Sequence, residues 1–199
     1  MNMQGYLYNL ARDRYRGLIP SIIKPFLFLL SLIYGLIIRI LIFFYSLNPY
    51  HLNCKVISIG NITLGGTGKT SLVEYIARYL KQQGHKVAIL TRGYKRKLTT
   101  YKNMGDEPYM LKANLKDVPV IVDADRIRAA NFAISKYGVD TVILDDGFQQ
   151  WKIAKDLEIV TIDANNPLGN RNLLPRGILR EPLSFLRRAD LFVLTKTNL

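Results

Sequence analysis

Hydrophobic positions fall into two regimes along the chain. Residues 26–47, FLFLLSLIYGLIIRILIFFYSL, are almost unbroken apolar sequence with Arg39 as the one charge, and at helical rise they are long enough to cross a bilayer core. From Lys55 onward the apolar residues come in short bursts. Segments 56–59, 87–90, 118–122, 139–144, 157–162 and 191–194 read as strands, rich in Val and Ile and bounded by polar or glycine positions. Between them, 71–83 sets Leu72, Val73, Ile76, Ala77 and Leu80 on one helical face and stops at Gly84. A second helix over 126–137 is closed by Gly138. Strands that are apolar throughout, separated by helices, predict an α/β fold of P-loop NTPase type: a mostly parallel sheet with helices on both faces and ligands at the strands' carboxyl ends. The pattern divides the chain into a membrane-associated helical segment, 1–48, and an α/β domain, 49–199.

The junction between the first strand and its helix carries the chemistry. In VISIGNITLGGTGKTS, residues 56–71, the run Leu64, Gly65, Gly66, Thr67, Gly68, Lys69, Thr70 and Ser71 has the makings of a phosphate-binding loop. Small glycines let successive N–H groups converge on phosphate oxygens, Lys69 reaches the β- and γ-phosphates, and the Thr70 hydroxyl is a magnesium ligand. The strict pattern wants glycine where Thr63 stands, so the loop is a variant that matches from Gly65 onward. A glycine-rich turn before an ordinary helix would explain the glycines, but not the arrival of strand, loop, Lys-Thr and amphipathic helix in that order. After the fourth strand, Asp145-Asp146-Gly147-Phe148-Gln149 puts two carboxylates where such an enzyme holds magnesium; a plain Asp-Gly turn is the alternative. Residues 91–97, TRGYKRK, form a cationic loop that faces either phosphates or solvent. Gly105-Asp106-Glu107-Pro108 opens a further helix and offers one carboxylate for metal and one to deprotonate an acceptor hydroxyl, or simply an N-cap.

Charge narrows the partners. A formal net charge of +13 calls for something anionic, and no basic run interleaved with aromatics singles out nucleic acid. Cys54, the one cysteine, excludes an internal disulfide and fits a reducing cytosol, while His51 and His85 stand apart from any zinc-ligand spacing. The apolar run is too long for a signal peptide. With the nucleotide loop in the cytoplasm, a full span would place Arg12, Arg14, Arg16 and Lys24 outside, against the positive-inside tendency. Ser31, Gly35, Arg39 and Ser46 share one arc of the helix, interrupted by Ile38 and Ile42. The reading this favours is an interfacial or re-entrant helix with its basic residues on anionic headgroups; a buried core helix is the alternative.

Seven motifs then appear in fixed order: GNITLGGTGKTS from Gly60, LTRGYKRK from Leu90, GDEPYML from Gly105, Asp125-Arg126, LDDGFQ from Leu144, LLPRGILREPL from Leu173 and RRAD from Arg187. In these the chain resembles the tetraacyldisaccharide 4′-kinases, the lipid A 4′-kinases of Gram-negative envelopes. The resemblance implies an ATP- and Mg2+-dependent kinase at the cytoplasmic face of the inner membrane. It would phosphorylate the 4′-hydroxyl of an acylated glucosamine disaccharide 1-phosphate and engage no nucleic acid. It implies Asp106 as the catalytic base and Lys69 and Thr70 as the phosphate and magnesium residues. It further implies Asp145, Asp146, Glu107 and Glu181 as candidate members of an acidic metal shell, and Arg126 and Arg180 as positions that orient phosphate or acceptor. Three departures stand out: Gln150 where the family usually has His, few residues between Lys97 and Gly105 where it often inserts a hairpin, and a family length that runs past Leu199 with a His that pairs with the catalytic Asp. The expectation is a chain that binds ATP and magnesium and transfers phosphate poorly. A membrane-attached regulatory P-loop ATPase is the rival, needing the loop and an acidic strand end but neither Asp106 nor the REPL segment.

Overall fold

The computed structural model describes residues 5, 9–13, 15, 17–92 and 106–197, with Asp106 and Glu107 described by backbone alone. Six strands, β1 (Lys55–Gly60), β2 (Val87–Thr91), β3 (Val120–Val122), β4 (Thr141–Asp145), β5 (Leu157–Asp163) and β6 (Leu191–Thr195), form one sheet in the order β3-β2-β4-β1-β5-β6. Every pairing in it is parallel. The expected α/β sheet is therefore the one observed. β3 is shorter than its apolar run because Pro119 has no N–H to give and takes part only as an acceptor, from Ile89 N–H at 2.8 Å. β4 starts two residues late because Asp140 is spent on the connection, accepting from the Lys86 amide through its side chain and the Lys55 amide through its carbonyl.

Both faces of the sheet are covered. Helix α1 (Leu18–Leu47) precedes the sheet, α2 (Lys69–Gln82) follows β1, α3 (Asp106–Asn114) follows β2 and α4 (Arg126–Tyr137) follows β3. α4 lays Ala129, Ala130 and Ala133 on Val56, Ala88, Leu90, Val142 and Leu144. On the other face α2 and α3, with Leu115 just past the end of α3, bring Val73, Ala77 and Leu111 onto Ile59, Val87, Ile89, Ile143 and Ile159. Each large aliphatic side chain buried this way is worth about 1.5–3 kcal/mol, and Ile59, Ile143 and Leu144 anchor the carboxyl ends of β1 and β4 in these two layers. The Asp125 carboxylate caps α4 by accepting from the Ile127 and Arg128 amides, and Gly138, the stop expected from the sequence, ends it in the left-handed conformation.

α1 is longer than the apolar run. It starts at Leu18 after Gly17, tolerates Pro20 in its first turn where an N–H is idle anyway, and forfeits one internal bond at Pro25. It is the one helix among the described residues long and apolar enough to cross a membrane. Its inner stripe, Leu27, Ser31, Gly35, Ile38 and Ile42, is buried, while Phe26, Leu29, Ile33, Ile37 and Phe44 are exposed. The buried arc thus takes in the two isoleucines expected to interrupt it and leaves out Arg39 and Ser46, which are exposed. Gly35 explains the close approach: a Cβ there would lie 2.6 Å from Leu173 Cδ1.

Candidate functional site

The loop between β1 and α2 is shaped by what flanks it. At Gly60 a Cβ would sit 2.5 Å from both Cβ and N of Phe148, so only glycine lets the acidic turn after β4 lie against the end of β1. Beyond it the chain is laced to residues 178–180: Leu64 N–H donates to the Ile178 carbonyl at 2.7 Å and Arg180 N–H to the Ile62 carbonyl at 2.8 Å. Gly68, at φ 72°, turns the backbone into α2 with no side chain capping the helix. The first-turn amides of α2, beginning at Lys69, are thus presented to the loop, where an anion would gather them.

The sheet register sets Asp145 beside Ile59 at the end of β1. The buried Asp145 carboxylate accepts from the Thr91 hydroxyl at 3.1 Å, tying the end of β4 to the end of β2. Asp146 follows with a left-handed backbone, φ 55°. That turn aims its carboxylate at two cations: Arg180 donates to both oxygens, at 2.7 and 3.1 Å, and Lys69 Nζ stands 3.6 Å from Oδ1. Burial alone would raise the Asp146 pKa, but the Arg180 guanidinium and then the Lys69 ammonium outweigh it and hold the carboxyl below its ordinary value. The result is a phosphate loop whose lysine, a strand-end aspartate pair and an arginine meet in one place.

A model of the family described as tetraacyldisaccharide-1-P 4′-kinase matches residues 23–199. This chain belongs to that family. A tetraacyldisaccharide 4′-kinase of Halothermothrix orenii is 39% identical over 214 residues, covering 98% of this chain and 56% of the relative. One from Desulfatibacillum aliphaticivorans is 37% identical, covering 94% of this chain and 54% of the relative. The crystal structure of an "apo" form of LpxK from Aquifex aeolicus in complex with ATP is 38% identical, with a TM-score of 0.76, and covers 90% of this chain and 59% of that one. The chain spans about half the length of the curated relatives it matches.

The remaining residues expected in a family site fall in different places. Glu181 is fully buried; Oε1 accepts from Gln149 and Trp151 at 3.1 and 3.0 Å, and Oε2 from Arg188 at 2.6 Å. It ties the DDGFQ turn to the 3-10 helix Leu183–Arg188, and among the described residues no third acidic or imidazole group joins Asp145 and Asp146. Burial raises its pKa even against Arg188. Arg126 is also buried and donates to the carbonyls of Asp123 and Asp145, so it braces the acidic turn from behind. Burial pushes its pKa down to about 10, leaving it cationic at neutral pH. Asp106 begins α3, Glu107 follows it, and both side chains lie outside the described residues, as do the basic residues 93–97. Thr70 and Ser71 sit in the first turn of α2, and Gln150 closes the acidic turn with its amide on the Gly147 carbonyl. Sequence reasoning gave no role to Thr91, to Asn61, whose Oδ1 accepts from Arg180 at 3.3 Å, to Trp151 or to Arg188. All but Trp151 carried a signal, as parts of the GNITLGGTGKTS, LTRGYKRK and RRAD motifs.

Proposed function

We propose that the chain supplies the nucleotide-binding half of a tetraacyldisaccharide 4′-kinase, binding ATP with magnesium on the Gly65–Ser71 loop and phosphorylating the 4′-hydroxyl of an acylated glucosamine disaccharide 1-phosphate. The observation that carries this is the meeting of Lys69, Asp146 and Arg180 at the mouth of the loop. Thr70, Asp145 and Asp146 offer the all-oxygen donor set that magnesium prefers, so they would hold it, with Glu107 as a further carboxylate. Bound there, magnesium would neutralise charge on the β- and γ-phosphate oxygens. Lys69 and the loop amides would bind the phosphates, and Arg180 would keep Asp146 ionised and in place. Asp106 would take the proton of the 4′-hydroxyl as its oxygen bonds to the γ-phosphorus, the bond to the bridging oxygen breaks and ADP departs. The exposed apolar face of α1 would lie in the cytoplasmic leaflet of the inner membrane, where a lipid acceptor is found.

Two substitutions test the assignment. Lys69→Ala is expected to weaken ATP–magnesium binding roughly 10-fold or more, because no other side chain in the loop offers a compact cation to the phosphates. Asp106→Asn is expected to leave that affinity intact and reduce phosphoryl transfer by about 10²–10⁴. Titration calorimetry and a radiolabelled-phosphate assay measure the two. Unchanged ATP affinity in Lys69→Ala refutes the phosphate loop, and undiminished transfer in Asp106→Asn refutes the base.

A further inference from the structure

Two largely buried ion pairs converge on Phe148, two residues past Asp146 in the acidic turn: Lys155 with Glu158, and Arg188 with Glu181. Lys155 Nζ also donates to the Phe148 carbonyl, at 3.4 Å. The Arg188 guanidinium stands 4.4 Å from the centre of the Phe148 ring, and the Glu181 carboxylate that it grips holds Gln149 and Trp151 with its other oxygen. One guanidinium is thus joined to the stretch that follows Asp146, by its flat face at Phe148 and through Glu181 at Gln149 and Trp151. Phe148 has no slack on its other side. It is fully buried, and its backbone closes on Gly60, where β1 gives way to the phosphate loop, so a shift of this residue is a shift of turn and loop together.

Stability does not account for such an arrangement. Taking paired charges out of water is costly, and replacing a buried pair by neutral side chains of similar size is often neutral or stabilising. Arg188 Nε is moreover buried with no hydrogen-bond partner among the described residues. What a guanidinium does supply is orientation, because it is planar, stacks on a ring face and forks rigidly toward a carboxylate. Orientation matters to magnesium, which demands near-ideal octahedral oxygens at about 2.0–2.1 Å and tolerates little displacement of the carboxylates that hold it.

We propose that Arg188 is a positioning residue for phosphoryl transfer: through Phe148 and Glu181 it fixes the turn that presents Asp145 and Asp146 to the metal. It rests on the magnesium reading above and adds what holds those carboxylates in place. The full chain in detergent, with ATP, is titrated with Mn2+ as the probe of the magnesium site and followed by electron paramagnetic resonance. Thermal midpoints and ATP affinity without metal are measured on the same samples. Arg188→Lys keeps a cation for Glu181 but loses the flat stack. The paired variant Arg188→Met with Glu181→Gln removes both charges and keeps an acceptor for Gln149 and Trp151, so its midpoint should be unchanged or higher. Both should bind Mn2+ in the presence of ATP roughly 10-fold more weakly, the scale of losing a group that orients a metal ligand, and bind metal-free ATP as before. Undiminished Mn2+ affinity in either variant, an equal loss of metal-free ATP binding, or a paired variant whose midpoint falls together with its Mn2+ affinity would each overturn the positioning role. Failure of the unaltered chain to bind Mn2+ with ATP would overturn the magnesium assignment as well.

Discussion

At the scale of single residues, Asp146 decides the geometry of the site. A non-glycine residue in the left-handed region costs about 1 kcal/mol, and the two hydrogen bonds from Arg180 offset it. Because the folded-state pKa lies below the ordinary value of 3.8, the ionised carboxylate contributes stability that is complete above that value and is lost as pH falls through the depressed one. Asp146→Asn keeps the shape and tolerates the left-handed backbone, so it isolates the charge. With the side chain 37% exposed, solvent screening limits the expected loss at pH 7 to about 1 kcal/mol. Thermal midpoints at pH 7 and pH 3 should show the gap between the two chains narrowing at the lower pH; a constant gap would mean the charge pairing contributes nothing. Cys54 sits at the opposite extreme. Burial, reinforced by Asp156 and Asp140, pushes its thiol up to about 11, so a maleimide at pH 7 should react with it far more slowly than with an exposed cysteine.

Elements show which parts of this molecule can be read from sequence. Strands buried on both faces leave unbroken apolar runs, and Gly138 announces the end of α4, so sheet and helices were legible. The phosphate loop and the acidic turn were legible for a related reason: their chemistry sits on consecutive residues. What could not be read were pairings across the fold, such as Thr91 with Asp145, Trp151 and Arg188 with Glu181, and Lys196 with Gly66, because nothing local distinguishes those side chains from others of their kind. The inner face of α1 was hidden differently, since almost every position on that helix is apolar. Its docking has a consequence for the site. The Tyr34 hydroxyl donates to the Arg180 carbonyl at 2.7 Å, while the Arg180 N–H is held from the other side by Ile62, so the residue that grips Asp146 has its own peptide clamped between α1 and the loop. Tyr34→Phe removes that donor without opening a cavity. Leaving the carbonyl unpaired is worth about 1–3 kcal/mol, and the loss should appear both as a lower thermal midpoint and as weaker ATP–magnesium binding. Loss of stability with undisturbed nucleotide affinity would show that α1 does not position the site.

On the scale of the whole molecule, the question is how a chain with an apolar helix of about 45 Å meets a bilayer. The α/β domain touches that helix near its beginning, middle and end. Lys24 pairs with Asp13, which Arg176 also holds; Gly35 lies on Leu173 and Tyr34 on Arg180; Tyr45 stacks on Trp151 at 6.4 Å. A helix accompanied along its length by a polar domain is unsuited to spanning, because the domain would have to enter the hydrocarbon with it. It can instead lie in the interface, with the exposed Phe26, Leu29, Ile33, Ile37 and Phe44 in the acyl region and the basic surface of a +13 chain against anionic headgroups. Both ends of α1 should then be reachable from the same side. The chain is bound to sealed anionic vesicles from outside, with a cysteine introduced at Gly17 in one variant and at Asn48 in another, and treated with a membrane-impermeant maleimide. The native Cys54 adds little background for the reason given above. Prompt labelling at both positions, with retention on the vesicles in high salt and alkaline carbonate, is the expected result. Protection of either end until the vesicles are lysed would show that α1 crosses the bilayer and that its contacts with residues 151, 173 and 180 are exchanged for lipid on insertion.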